Sequence, residues 1–125
     1  MKSNGAKQPI DIRERTFDLA IRLVKLCRYL EQKPGVGRTL SWQLLRAGTS
    51  VGANVEEAQA GQSRADFISK NAIALKEARE TDYWLRLLVA AQVVPERRIS
   101  GLRAEVEELK RILGAIVVSA KKNGR

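Results

Sequence analysis

Arg46, Ser50, Asn54 and Glu57 recur at spacings of four, four and three, and two further carboxylates, Glu77 and Glu80, follow on the next segment. On a helix the first four form one polar row beside an apolar stripe. Members of a half-buried row must hydrogen-bond one another or a neighbouring helix. Arg46 is the natural partner for Glu77 and Glu80, because buried carboxylates want a cation. Paired carboxylates on bundle helices also raise di-iron chemistry, but such sites take Glu-x-x-His and the chain has no histidine. The same absence removes the usual general base, the Ser-His triads and the His-containing metal sites. An enzyme working through Glu77 and Glu80 is a remote alternative, since nothing nearby resembles a nucleophile system. The expectation is a structural polar network, with no catalytic, metal or cofactor site. The lone Cys27 cannot form an internal disulfide or a Cys-rich zinc site, and it fits a reducing cytoplasm.

Positioning that row falls to helices. The chain has 125 residues, one domain's worth, and its 44% apolar content with only 5% aromatic residues points to an aliphatic core. Apolar residues recur at helical spacing almost everywhere. The punctuation predicts helices over about 11–32, 38–60, 63–91 and 95–122, with 1–10 and 123–125 as flexible ends. A turn at Pro34-Gly35-Val36-Gly37 follows the first helix. Ser63 with Asp66 resembles a capping box, and Pro95 suits a first helical turn. Core stripes run Ile12, Leu19, Leu23, Leu26, Leu30 with Cys27 alongside, then Leu40, Leu44, Ala47, Val51, Val55, Ala58. The last helix offers Ile99, Leu102, Val106, Leu109, Leu113, Ile116 and Ala120. Short turns force antiparallel neighbours, so the fold class is all-α, an up-down-up-down four-helix bundle. Charged residues interrupt every apolar run, which argues against a membrane span, and the N-terminal stretch has no signal-peptide core. The expected location is cytoplasmic.

Two helices carry a second apolar face. Trp42 and Leu45 point away from the Leu44–Val51 stripe, while Ile73, Trp84 and Leu87 lie opposite the Phe67, Ala74, Ala78 and Leu85 face. Rotation of the helices within one bundle would bury them; self-association through the second and third helices would also do so, and tryptophan is enriched at interfaces. Gly48 and Gly52, four apart, cost helix stability and so want a close helix approach.

The net charge is +9, from 23 basic and 14 acidic residues, and it is spread along the chain rather than clustered. Asp11 with Arg15, Asp18 with Arg22 and Glu107 with Arg111 fall at i,i+4, where charges pair locally. With no recognition motif and few aromatics for bases to stack on, nucleic-acid binding would be electrostatic and salt-sensitive. The candidates are Arg15, Arg22, Lys25, Arg28, Arg97, Arg98, Lys121 and Lys122; a solvated charged face is the alternative for each.

The stretch from Arg46 to Leu88 resembles the signature of a bacterial four-helix-bundle family named for proteins encoded in intervening sequences of large-subunit ribosomal RNA genes. The matching positions are Arg46, Ser50, Val51, Asn54, Val55 and Glu57, then Phe67, Ile73, Ala74 and Glu80. Ala58 stands where the family has Gly, and Glu77 where it commonly has Ser, as in a subgroup. The resemblance implies a four-helix bundle assembling as a ring-like homopentamer, with no established catalytic activity. It is also similar to a branch that serves as the accessory protein of diversity-generating retroelements, where a basic pentamer associates with reverse transcriptase and nucleic acid. Five copies would carry 5 × 9 = +45. The expectation is a non-enzymatic homo-oligomer that binds RNA, DNA or a ribonucleoprotein electrostatically, without a membrane or small-molecule partner. The alternative is a protein-interaction scaffold whose charge serves solubility.

Overall fold

The computed structural model describes residues 11–123, so the expectations for 1–10 and for the last two residues lie outside the described residues. Four helices follow in order: α1 (Ile12–Glu31), α2 (Val36–Ala60), α3 (Arg64–Ala90) and α4 (Glu96–Asn123). Asn123 is helical, one residue beyond the expected end. The starts of α1 and α3 are fixed by caps. The Asp11 carboxylate accepts the Arg13 backbone N–H at 2.9 Å, and the Ser63 hydroxyl accepts that of Asp66 at 3.0 Å. Asp66 itself lies over Gly61, where a β-carbon would overlap its carboxylate.

α2 begins at Val36, two residues before the expected start, and Gly37 is helical and buried. The turn is closed instead by Gly35, at φ +98°, a left-handed conformation that glycine adopts without strain. Gly37 fits because a β-carbon there would already touch Val93 at 3.4 Å. α3 ends in a Schellman turn: the N–H of Val93 reaches the Leu88 carbonyl at 2.9 Å and that of Gln92 the Val89 carbonyl at 3.0 Å. Gln92 stands at φ +62°, where glycine is usual.

Each helix packs against its chain neighbours, and α1 closes against α4 along the thinnest of the four seams. That is the antiparallel four-helix bundle expected from the stripes. The core is graded along its length. Leu19, Leu23, Leu30, Leu44, Leu85, Leu88 and Leu109 fill the half nearest the α1–α2 and α3–α4 turns. Val51, Val55, Ala74, Ala78 and Leu113 form the other half. In α4 the stripe steps from Leu113 to Val117, not Ile116, which is only half-buried. A step of four keeps the last turns aimed inward where a step of three would rotate away. Gly48 and Gly52 are explained by α1. A β-carbon on Gly48 would overlap Cδ1 of Leu23, and one on Gly52 would press the Thr16 carbonyl oxygen at 3.3 Å. Cys27 is a core residue whose Sγ donates to the Ser41 carbonyl at 3.4 Å. Burial pushes its thiol up to about 11.

Candidate nucleic-acid interface

The expected polar row does not form one network. Arg46 bridges to α3 as expected, pairing with Glu80 and lying 3.8 Å from Glu77. Glu80 also accepts the Trp84 indole N–H at 3.0 Å. Ser50 and Asn54 instead donate to carbonyls one turn back on their own helix, Arg46 O at 2.7 Å and Ser50 O at 2.8 Å. A short polar side chain has the i−4 carbonyl within reach, so local bonding wins over a bond across the helix interface. Glu57 sits apart, paired with Lys70 at 3.0 Å. Among the described residues no group of three or more His, Cys, Asp or Glu is placed to hold a metal ion.

The second-face residues separate. Trp42 is 67% exposed, whereas Trp84 and Leu45 pack partly against the core and Ile73 and Leu87 are half-buried. Two further aromatic or aliphatic groups, Phe17 and Ile21, stand exposed on α1. Phe17 lines an apolar groove with Ala20, Thr49, Gly52 and Ala53. Phe17 and Ile21 lie nearly opposite the α1 stripe at about 100° per residue, a second apolar face that a search confined to the second and third helices does not reach.

The basic candidates also sort themselves. Arg22 and Lys25 of α1 and Arg97 and Arg98 of α4 line one cleft on the α1–α4 seam, about 360 Å³ in volume and floored by Leu26, Gly101 and Leu102. Gly101 keeps the floor low; a β-carbon there would meet the Arg22 guanidinium at 3.4 Å. Among the described residues, no carboxylate lies within 4.0 Å of any of these four cations. The pairing expected between Asp18 and Arg22 is therefore not made. Arg15 is spent elsewhere: it forms a two-pronged bridge to Glu105 of α4 at 2.8 and 3.0 Å, which raises its pKa. That bridge replaces the expected Asp11–Arg15 pair, and Asp11 holds Arg13 instead. A fork-to-fork bridge across two helices outcompetes a single i,i+4 contact in solvent. Likewise Glu107 pairs with Lys110, and Arg111 with Glu108, both at i,i+3. Arg28 is exposed at the end of α1, outside the cleft lining. Lys121 and Lys122 occupy the far end of α4, about 35 Å from Arg98 at 1.5 Å per residue.

Two features escape a reading by spacing. Asp82 is buried on α3, held by Arg86 at 3.1 Å, Arg103 at 3.2 Å and Lys110 at 4.0 Å. Its signal is a carboxylate standing in line with Ala78 and Leu85 on an apolar stripe. Tyr29 is the second. Arg98 lies over its ring, 4.0 Å from the centroid, and Lys33 approaches at 4.8 Å. The neighbouring Lys33 ammonium, with Arg98 and Arg97 behind it, holds the phenol below its ordinary pKa.

Fold and surface together define a basic, antiparallel four-helix-bundle protein with a cationic cleft on one seam. The 23S rRNA-intervening sequence protein model matches residues 8–115, and the chain belongs to that family. It is also similar to a solved structure from Bacteroides thetaiotaomicron, a protein of unknown function from the S23 ribosomal protein family. Identity is 40%, the match covers 86% of this chain and 98% of that one, and the TM-score is 0.79. No curated protein matches it. No helix of the described residues is long and apolar enough to cross a membrane.

Proposed function

We propose that this is a non-catalytic, self-associating bundle that binds nucleic acid, foremost RNA or a ribonucleoprotein, through the α1–α4 cleft. One observation carries the reading: Arg22, Lys25, Arg97 and Arg98 converge from two helices with no carboxylate within ion-pair distance among the described residues. Four desolvatable cations in one concave strip suit a phosphate backbone, whose neutralisation releases counterions and makes binding strongly salt-dependent. Family membership agrees with an RNA setting without naming a ligand. The ring-like homopentamer and the retroelement-accessory role belong to this proposal too. Trp42 and the Phe17 groove supply an exposed apolar face for assembly, with Leu45, Ile73, Trp84 and Leu87 at its margins. Assembly would repeat the cleft around the particle and add avidity to a weak single site. Arg28, Lys121 and Lys122 then act as outlying charges, and Arg46, Ser50, Asn54, Glu57, Glu77 and Glu80 as structure.

Binding of labelled RNA across a salt series tests this. Wild-type affinity should fall steeply with salt, and Arg22→Glu with Arg97→Glu should abolish binding while Lys121→Glu changes it little. No binding at low salt, or equal loss from every basic residue wherever it lies, would sink the reading. The scaffold alternative is favoured by the same apolar groove; it predicts a particle of unchanged size and no RNA affinity.

A further inference from the structure

The cleft ends at an aromatic ring, and that bears on which kind of nucleic acid it takes. On α1, Arg22, Lys25 and Tyr29 follow at steps of three and four, so they share one face, and Lys33 follows in the turn just beyond the helix end. At 1.5 Å per residue the helical row from Arg22 to Tyr29 is about 10 Å long. Arg97 and Arg98 face it from the first turn of α4. Tyr29 is half-buried against the core, which fixes its ring. Arg98, exposed itself, lies over that ring at 4.0 Å. A guanidinium held on an aromatic is a flat cation with one face committed and the other toward solvent. It loses little further freedom when a second planar group settles on the open face.

Resting on the reading above, we propose that the Tyr29–Arg98 stack is a platform for one unpaired base, so that the cleft takes single-stranded nucleic acid in preference to duplex. Arg22, Lys25 and Arg97 hold successive phosphates along the row, and the base beyond them turns in to stack on Arg98. Bases in a duplex are stacked on one another and present no face to such a platform. Single strands expose theirs, and stacking on aromatic or guanidinium planes is how proteins hold them without reading sequence. Asp18, at i−4 from Arg22, lies at the opposite end of the row and discourages phosphates there.

The test compares a single-stranded RNA of about 12 nucleotides, the DNA strand of the same sequence, and the corresponding duplex. The full chain is used, at several salt concentrations, with sodium polyglutamate as a polyanion lacking bases. Both single strands should bind more tightly than duplex or polyglutamate. Arg98→Lys keeps the charge and loses the plane; Tyr29→Leu removes the support. Each should weaken single-strand binding roughly 5- to 100-fold, leave duplex binding and the salt slope as they were, and be matched by full retention in Tyr29→Phe. Arg97→Ala, by contrast, should lower the slope. If the platform variants fold poorly, the wild-type protein carries the test: 4-thiouridine RNA should photocrosslink to the tryptic peptide that begins at Tyr29. Duplex or polyglutamate binding as tight as single strand, Arg98→Lys indistinguishable from wild type, or crosslinks confined to α2 and α3 would overturn the platform. Tight duplex binding with neutral platform variants overturns it alone; no binding of any nucleic acid overturns the cleft reading with it.

Discussion

Gly48→Ala should reverse the sign of its effect according to what stands at position 23. In an exposed helix interior, alanine for glycine stabilises by about 1 kcal/mol. At position 48 the new β-carbon would overlap Cδ1 of Leu23, a fully buried side chain of the core cluster. Overpacking of that kind costs about 1–3 kcal/mol, so Gly48→Ala should be destabilising by roughly 0–2 kcal/mol. Leu23→Ala on its own should cost about 2–5 kcal/mol by leaving a cavity between α1 and α2. In that background the overlap is gone, because the Leu23 β-carbon lies an ordinary 3.7 Å away. Gly48→Ala then keeps its propensity gain of about 1 kcal/mol and adds a buried methyl worth about 0.8 kcal/mol. The cycle should therefore show a coupling of roughly 2–4 kcal/mol. Urea unfolding followed by circular dichroism at fixed protein concentration measures all four corners. Additive effects, or a Gly48→Ala that stabilises the wild type, would refute the account of this close approach.

Gln92→Gly should raise the melting temperature, since relieving a left-handed residue is worth about 1–2 kcal/mol and the added unfolded-state freedom returns only part of it; a melting temperature that falls contradicts the Schellman reading. Stability should also decline in alkali through Cys27. Its folded pKa of about 11 stands above the unfolded value near 9.0, so the folded state holds the proton longer. The contribution is intact below pH 9 and lost as pH rises toward 11, amounting to about 2 kcal/mol. Cys27→Ala should flatten that part of the stability–pH profile, and an unchanged profile would count against the burial of the thiol.

The helices were legible because their stripes are long and their breaks are chemically distinct. Ser63, the Gly35 turn and the Val93–Pro95 exit all announce boundaries. Gly37 reads as turn chemistry, which sets the expected α2 start two residues late; its place inside the helix shows only once Val93, far along the chain, packs against it. The charged surface was less readable. Spacing along one helix cannot reveal that Arg15 prefers Glu105 on another, and so it overstates the pairing of Asp11 and the availability of Arg15. Arg22, Lys25, Arg97 and Arg98 are all legible as basic residues, but only the α1–α4 packing makes them a cleft. Tyr29 carries no signal in the sequence, since an aromatic's use depends on what lies over its ring.

The thin α1–α4 seam has a consequence for how the bundle assembles. Apart from that seam, every helix–helix interface joins helices adjacent in the chain, so ordering one hairpin after another closes only short loops. Such a topology has low contact order and favours rapid folding. The one long-range closure, bringing the first helix to the last, contributes least packing and carries like charges on both sides of the cleft, opposed by the Arg15–Glu105 bridge. It is the natural last step of folding and the first to open, leaving α1–α2–α3 and α2–α3–α4 as alternative partly ordered states.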